Sequence, residues 1–67
     1  MRLVVVIPTY NEKDNIEEIV KKVLTQEKRI KGFDLHVLVS DSHSPDGTGE
    51  IVKKITSKNP KVHFLDV

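Results

Sequence analysis

Apolar residues follow two distinct rhythms along this chain. Leu3-Val4-Val5-Val6-Ile7 is an unbroken, mostly β-branched run, which suits a strand of a parallel sheet covered on both faces. Pro8 cannot donate to a ladder and marks the predicted end of that strand. From Asp14 the period lengthens: Ile16, Ile19, Val20, Val23 and Leu24 recur at three- and four-residue steps, one stripe of a helix. Asp14 is the expected cap, with Glu17 three residues on as in a capping box. Gly32 closes the segment after Lys28, Arg29 and Lys31, cations suited to a helix C-terminus. Leu35 to Val39 reads as a second strand, followed by a turn over Ser40 to Gly47. Ile51, Val52 and Ile55 then share one side of a shorter helix, with Ser44 as its expected cap and Pro45 in its first turn. Asn59-Pro60 breaks that helix, and Val62 to Val67 alternates like a third strand.

The order β-α-β-α-β is spaced for right-handed crossovers, so the fold class is α/β, half of a doubly wound sheet. The first strand would keep one open edge, flat, apolar and uncharged, a template for self-association. Sixty-seven residues make one small domain or part of one. A chain this short buries only about 60% of its unfolded surface, so its core is marginal. There is no Cys, and the three His lack ligand spacing, so neither disulfide nor metal staples it. The absence of Cys fits a reducing compartment. Eleven basic and ten acidic residues leave a net charge of +1, which gives no reason to expect nucleic acid as a partner. The longest apolar run is too short to span a bilayer, and Met1-Arg2 opens directly into it. A signal peptide and a membrane helix are both excluded as readings of this stretch. The expected location is cytoplasmic, at most peripheral to a membrane face.

Ligands of parallel sheets bind at the carboxyl ends of the strands. Both unusual loops fall there: Pro8 to Lys13, and Ser40 to Thr48. Adjacent strands would bring Tyr10, Glu12 and Asp41 to one rim. The first loop has neither the G-x-G-x-x-G of a dinucleotide site nor the G-x-x-x-x-G-K-[ST] of a P-loop. It offers instead a flat ring and carboxylates. A ring can lie against a base, and a carboxylate accepts from ring N–H or ribose hydroxyl donors, so the rim reads as nucleoside recognition. Plainer readings stand beside this one. Tyr10 can also serve as a turn aromatic, Glu12 as a first-turn acid, and Asp41 as an Asx-type cap of its own loop, each the less favoured reading. Asp46 is better explained by turn and capping chemistry. His36 and His63 read as structural strand residues, and His43 as a loop residue without an evident partner. The Lys21-Lys22 and Lys53-Lys54 pairs read as solvated helix faces.

"VVIPTYNEKDNIEEIV" followed by "VLVSDSHSPDGTGEIVKKI" resembles the start of a family 2 glycosyltransferase, closest to the dolichyl-phosphate (polyprenyl-phosphate) mannosyltransferase branch. The "IPTYNE" loop and the "SPDGT" turn carry the resemblance together. It covers nearly the whole chain but only the front of the family's catalytic domain. The resemblance implies the N-terminal half of an A-type, Rossmann-like glycosyltransferase fold, with residues 1–67 as its incomplete nucleotide-binding part. It implies mannose transfer from GDP-mannose to a polyprenyl or dolichyl phosphate, with Mg²⁺ or Mn²⁺ as cofactor. Membrane contact would come only through parts beyond these residues. Carried over residue by residue, it implies that Pro8, Tyr10 and Glu12 line the nucleoside pocket. Val39 and Asp41 match the end of the second strand, where the family's Asp contacts the base. Ser44 to Thr48 match the turn that shapes the wall.

Two positions depart from the family pattern. Ser42 stands where a second carboxylate is usual, and His43 where Asn or Gly is common. No D-x-D metal motif occurs, so no metal ligand and no catalytic residue is expected within this segment. Two other functional classes remain: a nucleotide-binding or interaction module without catalysis (or a truncated remnant), and a receiver-like phosphoacceptor domain. The latter wants an acidic pair near the first strand, which "PTYNE" does not supply.

Overall fold

The computed structural model describes all residues, 1–67. Strand β1 spans Arg2–Thr9, helix α1 Ile16–Thr25, strand β2 Asp34–Asp41, helix α2 Thr48–Lys58 and strand β3 Val62–Asp66. The three strands form one parallel sheet in the order β1-β2-β3. Both crossovers step in the same direction, and the two helices pack together on one face of that sheet. The core lies between. Ile16 and Val20 of α1, Val52 of α2, Val37 and Val39 of β2 and Val62 of β3 form one buried cluster. This is the α/β half-sheet expected from the sequence, as in the N-terminal portion of an A-type fold.

The expected covering of β1 on both faces is not what the structure has. Leu3, Val5, Ile7 and Thr9 register with Leu35, Val37, Val39 and Asp41 on the helix side. Val4 and Val6 alternate to the opposite side, which no element covers, and are 47% and 57% exposed. A run without alternation therefore serves here in a strand covered on one face. The strand also runs longer than expected. Pro8 pairs with Ser40 inside it rather than ending it, which an edge strand tolerates because one row of its backbone groups needs no partner. Strand β2 likewise continues through Asp41, so that carboxylate stands on the sheet itself and not on a loop.

Both helix caps differ from expectation too. Asp14 and Glu17 form no capping box, and Asn15 at the cap position makes no side-chain bond. The Glu12 carbonyl instead accepts from the amides of Asn15 and Ile16 at 2.9 and 2.7 Å. Helix α1 ends at Thr25 and tightens into a 3₁₀ turn, Gln26–Arg29, well before Gly32. The Glu27 carboxylate there turns toward the sheet, accepting from the Leu35 amide at 2.9 Å and pairing with Lys61. Helix α2 begins at Thr48 behind Gly47 in the left-handed region, φ 98°, so Pro45 lies before the helix rather than in its first turn. Ser44 does not cap it, because its hydroxyl and amide both go to Asp41.

Candidate functional site

The rim at the carboxyl ends of β1 and β2 is built from the last residues of each strand and the two loops that follow. Thr9 and Asp41 sit opposite each other in register, and the Thr9 hydroxyl donates to Asp41 Oδ1 at 2.7 Å. Ser44 donates twice to the same carboxylate, from its hydroxyl to Oδ1 at 2.7 Å and from its amide to Oδ2 at 2.8 Å. An ionised carboxylate has about four acceptor positions. Oδ1 is filled by two donors, while Oδ2 has one and keeps a free position. Asp41 is almost wholly buried, with 1% of its surface exposed. Burial pushes its pKa up, but the Ser44 hydroxyl and amide and the Thr9 hydroxyl outweigh that and leave the carboxyl below its usual range.

Three backbone amides of the β1–α1 loop fasten it to side chains of the β2–α2 loop. Asn11 donates to Ser44 Oγ at 2.9 Å, Glu12 to Thr48 Oγ1 at 3.0 Å and Lys13 to Asp46 Oδ2 at 3.1 Å. Asn11 takes the left-handed conformation, φ 53°, which Asn tolerates better than most residues. Asp46 Oδ1 also accepts from the amide and hydroxyl of Thr48. The Thr48 hydroxyl, together with the Lys13 amide, holds the Asp46 carboxyl below its usual range against a smaller opposing effect of burial. Asp46 is thus a turn former and a latch between the loops.

A cleft of about 130 Å³ opens beside Asp41, between the start of α2 and the end of β3. Asp41, Ser44, Gly49, Lys53, Phe64 and Asp66 are among its lining residues. Gly49 lets the helix approach Phe64 closely: a Cβ at this position would stand 3.2 Å from the ring's Cζ. Lys53 extends over the Phe64 ring at 5.9 Å, close enough for cation–π attraction. Lys53 therefore lines the cleft while its side chain stays largely exposed, as its reading on a solvated helix face expects. His43, read as partnerless, has a partner: its Nδ1 lies 3.1 Å from Asp66 Oδ2.

The residues expected at the rim divide between three environments. Asp41 lines the cleft. Tyr10 is 58% exposed beside the latched loop, and Glu12 is half-buried in it. Pro8 is exposed and Val39 is fully buried within the core, so Val39 contributes by setting Asp41 two residues later on the same face. Thr9, Gly49 and Phe64 were not singled out from the sequence. Thr9 carried a signal, since a hydroxyl two residues past an apolar run faces the same side as Ile7. Phe64 and Gly49 carried none without the packing of α2 on β3.

Mg²⁺ or Mn²⁺, which the resemblance implies, does not fit the residues here. No three His, Cys, Asp or Glu side chains converge on a common point. Asp41 and Asp46 already accept hydrogen bonds, and Asp66 faces His43. No helix is long and apolar enough to cross a membrane.

Residues 4–66 match the family described as Glycosyl transferase family 2. The chain is similar to the Dolichol-phosphate mannosyltransferase of Pyrococcus furiosus, 37% identical over 60 residues that make up 90% of this chain and 16% of that protein. It is similar to the Polyprenol monophosphomannose synthase of Mycolicibacterium smegmatis, 38% identical over 65 residues, 96% of this chain and 23% of that protein. It is also similar to the Succinoglycan biosynthesis protein ExoA of Rhizobium meliloti, 34% identical over 62 residues, 92% of this chain and 18% of that protein. The chain thus spans less than a quarter of the length of these relatives. No solved structure matches it.

Proposed function

This chain belongs to glycosyl transferase family 2, and we propose that its carboxyl-end rim is one wall of a nucleotide-sugar site. Residues 1–67 are read as the nucleotide-binding N-terminal part of a glycosyltransferase domain. The donor is GDP-mannose and the acceptor a polyprenyl or dolichyl phosphate, a choice that rests on the resemblance and on the names of two relatives. One observation carries the reading. Asp41 is held ionised and nearly buried at the end of the central strand, with one acceptor position of Oδ2 still free beside the cleft. A base N–H or a ribose hydroxyl satisfies that position, and water is largely kept from competing for it. Tyr10, on the fastened loop, offers its ring to the same nucleoside, and Glu12 a second acceptor.

A cleft of 130 Å³ is smaller than a drug-sized ligand requires, roughly 300 Å³ or more. The binding these residues give alone is accordingly weak. They supply orientation and not chemistry: no carboxylate set holds a metal, and no step of transfer is assigned to them. A peripheral position at a cytosolic membrane face follows from a lipid-linked acceptor. The uncovered apolar side and edge of β1 suit self-association of this chain. The similarity to ExoA, named for succinoglycan biosynthesis, favours a second reading in which the same rim serves another donor and acceptor.

Calorimetry with GDP, UDP and inorganic pyrophosphate tests the proposal. Weak saturable binding of GDP and none of pyrophosphate supports a nucleoside wall. UDP binding better than GDP favours the second reading. Pyrophosphate binding as well as either nucleotide would leave only attraction of phosphate to lysines.

A further inference from the structure

The three histidines differ in what holds them. Leu38 registers with His63, so His36 stands diagonal to His63 across β2 and β3. His36 Nδ1 lies 2.9 Å from His63 Nε2, and His36 Nε2 lies 3.0 Å from Asp34 Oδ2. That pair is satisfied within the sheet, as expected of structural strand residues. His43 stands instead at the rim, on the wall of the cleft that Asp41 also lines. Its backbone is in the left-handed region, φ 52°. Gly takes that conformation freely and Asn tolerates it, so the Asn or Gly of the family pattern would serve the turn alone. The imidazole is held from one side only. Its Nδ1 lies 3.3 and 3.1 Å from the two carboxylate oxygens of Asp66, the residue in register with Asp41. A carboxylate only accepts, so in the neutral ring Nδ1 carries the proton and Nε2 keeps a lone pair. The ring is otherwise open, with 87% of the side chain exposed.

We propose that His43 Nε2 is a second acceptor for the base, taking the 2-amino group of guanine while Asp41 Oδ2 takes its ring N–H. This rests on the nucleoside reading of the rim. The count of acceptors on Asp41 calls for the second group. Guanine presents two neighbouring donors on one edge, the ring N–H and the 2-amino group. A carboxylate with both oxygens free takes such a pair by itself. Here the Thr9 and Ser44 hydroxyls fill Oδ1, and the Ser44 amide takes one position of Oδ2. One position remains, so one guanine donor is left over, and a donor that loses its water without finding an acceptor costs affinity. Glu50 also lines the cleft, but its carboxylate is drawn toward Lys53 Nζ at 3.7 Å. His43 lies two residues beyond Asp41, and Asp66 fixes its tautomer from behind, which makes Asp66 a positioning residue. Uracil offers a single ring N–H between two carbonyls, so paired acceptors at this wall select guanine.

The test compares GDP with IDP, whose base lacks only the 2-amino group, by chemical-shift titration of the 67-residue chain. The parent should bind GDP about two- to tenfold more tightly than IDP, and the His43 Nε2 signal should move with GDP only. His43→Gly suits the backbone there, and circular dichroism checks its helix content. It should equalise the two nucleotides by weakening GDP and leaving IDP unchanged. Asp66→Asn keeps an acceptor for Nδ1–H and should retain the preference, whereas Asp66→Ala should lose it. Protonation turns Nε2 into a donor, so the preference should vanish at about pH 5 and return at about pH 8. Asp41, Glu50, Lys53 and Asp66 are the other charged groups lining the cleft. Their titration acts on both nucleotides and cancels in the ratio. Equal binding of GDP and IDP by the parent, or a preference that survives His43→Gly, would overturn this proposal while the nucleoside wall stands. So would a preference lost in Glu50→Gln and kept in His43→Gly, which would hand the amino group to Glu50. No saturable binding of GDP at all would overturn the nucleoside wall and this assignment with it.

Discussion

Replacing Asp41 by Asn keeps the side chain's shape and removes its charge, which isolates what the carboxylate does for the fold. The amide oxygen can take over Oδ1 and still accept from the hydroxyls of Thr9 and Ser44, both at 2.7 Å in the parent chain. The amide nitrogen then stands where Oδ2 received the Ser44 N–H at 2.8 Å, and two donors face each other. Flipping the amide restores that bond but makes the Thr9 and Ser44 hydroxyls accept from the NH2 instead of donating, which leaves both O–H groups without their acceptor. Hydrogen bonds to a charged group contribute about 1.5–3 kcal/mol, and a donor left unsatisfied costs about 1–3 kcal/mol. A loss of about 2–4 kcal/mol is therefore expected, large for a domain whose total is on the order of 5 kcal/mol. The effect also depends on pH. Burial raises the Asp41 pKa and the Ser44 and Thr9 donors lower it by more, so the folded value lies below the unfolded one. The unfolded chain then binds more protons, and stability rises with pH across that interval. The carboxylate's contribution is complete above the unfolded value, about 3.9, and is lost as pH falls through the folded value. Urea unfolding of both proteins, followed by circular dichroism at pH 7 and again in acid, measures the difference. Glu27, Asp34 and Asp46 also have lowered pKa values but are common to both proteins and cancel. A gap under about 0.5 kcal/mol at pH 7, or one that does not narrow in acid, would refute the claim that this carboxylate organises the rim.

Gly49→Ala gains about 1 kcal/mol of helix propensity but sets its Cβ 3.2 Å from Phe64 Cζ. Thermal melts should show little net change in stability, while calorimetry shows weaker nucleotide binding because the ring moves into the cleft. Ser42→Asp adds an ionised acceptor at an exposed rim position and should tighten nucleotide binding several-fold, on the order of 1 kcal/mol, measured by the same titration. Val6→Lys places a charge on the uncovered face of the edge strand, where Val6 is 57% exposed. Sedimentation should show concentration-dependent association of the parent chain and a monomer for the variant.

The strand and helix rhythm was legible because each apolar run had its own period, and the order β-α-β-α-β follows from it. The boundaries were less so. Pro8 stays in β1 because β1 is an edge strand here, a fact of sheet order that local sequence does not carry. The caps were misread for a related reason. Ser44, Asp46 and Thr48 spend their polar atoms on Asp41 and on the loop of Asn11 to Lys13. Asp41 is three residues from Ser44, but the Asn11, Glu12 and Lys13 amides lie more than thirty residues away in the chain, beyond any local capping rule. Asp41 was legible as a rim residue, because parallel strands deliver their last side chains to one end. Its reading as a cap and its reading as a ligand contact are not exclusive, since one carboxylate has acceptors for both. The wall formed by Phe64, Gly49 and Lys53 depends on how α2 packs on β3. Likewise the His36–His63 pair depends on a diagonal register between two strands.

The central claim is that the carboxyl-end rim meets a nucleoside, and ¹H–¹⁵N spectra of the chain titrated with GDP test it most directly. The account predicts that amides of Tyr10 to Glu12 and of Val39 to Ser42 shift first and saturate together, with Gly49 and Phe64 following. Shifts confined to Lys21, Lys22 and Lys54, outside the cleft, would contradict it.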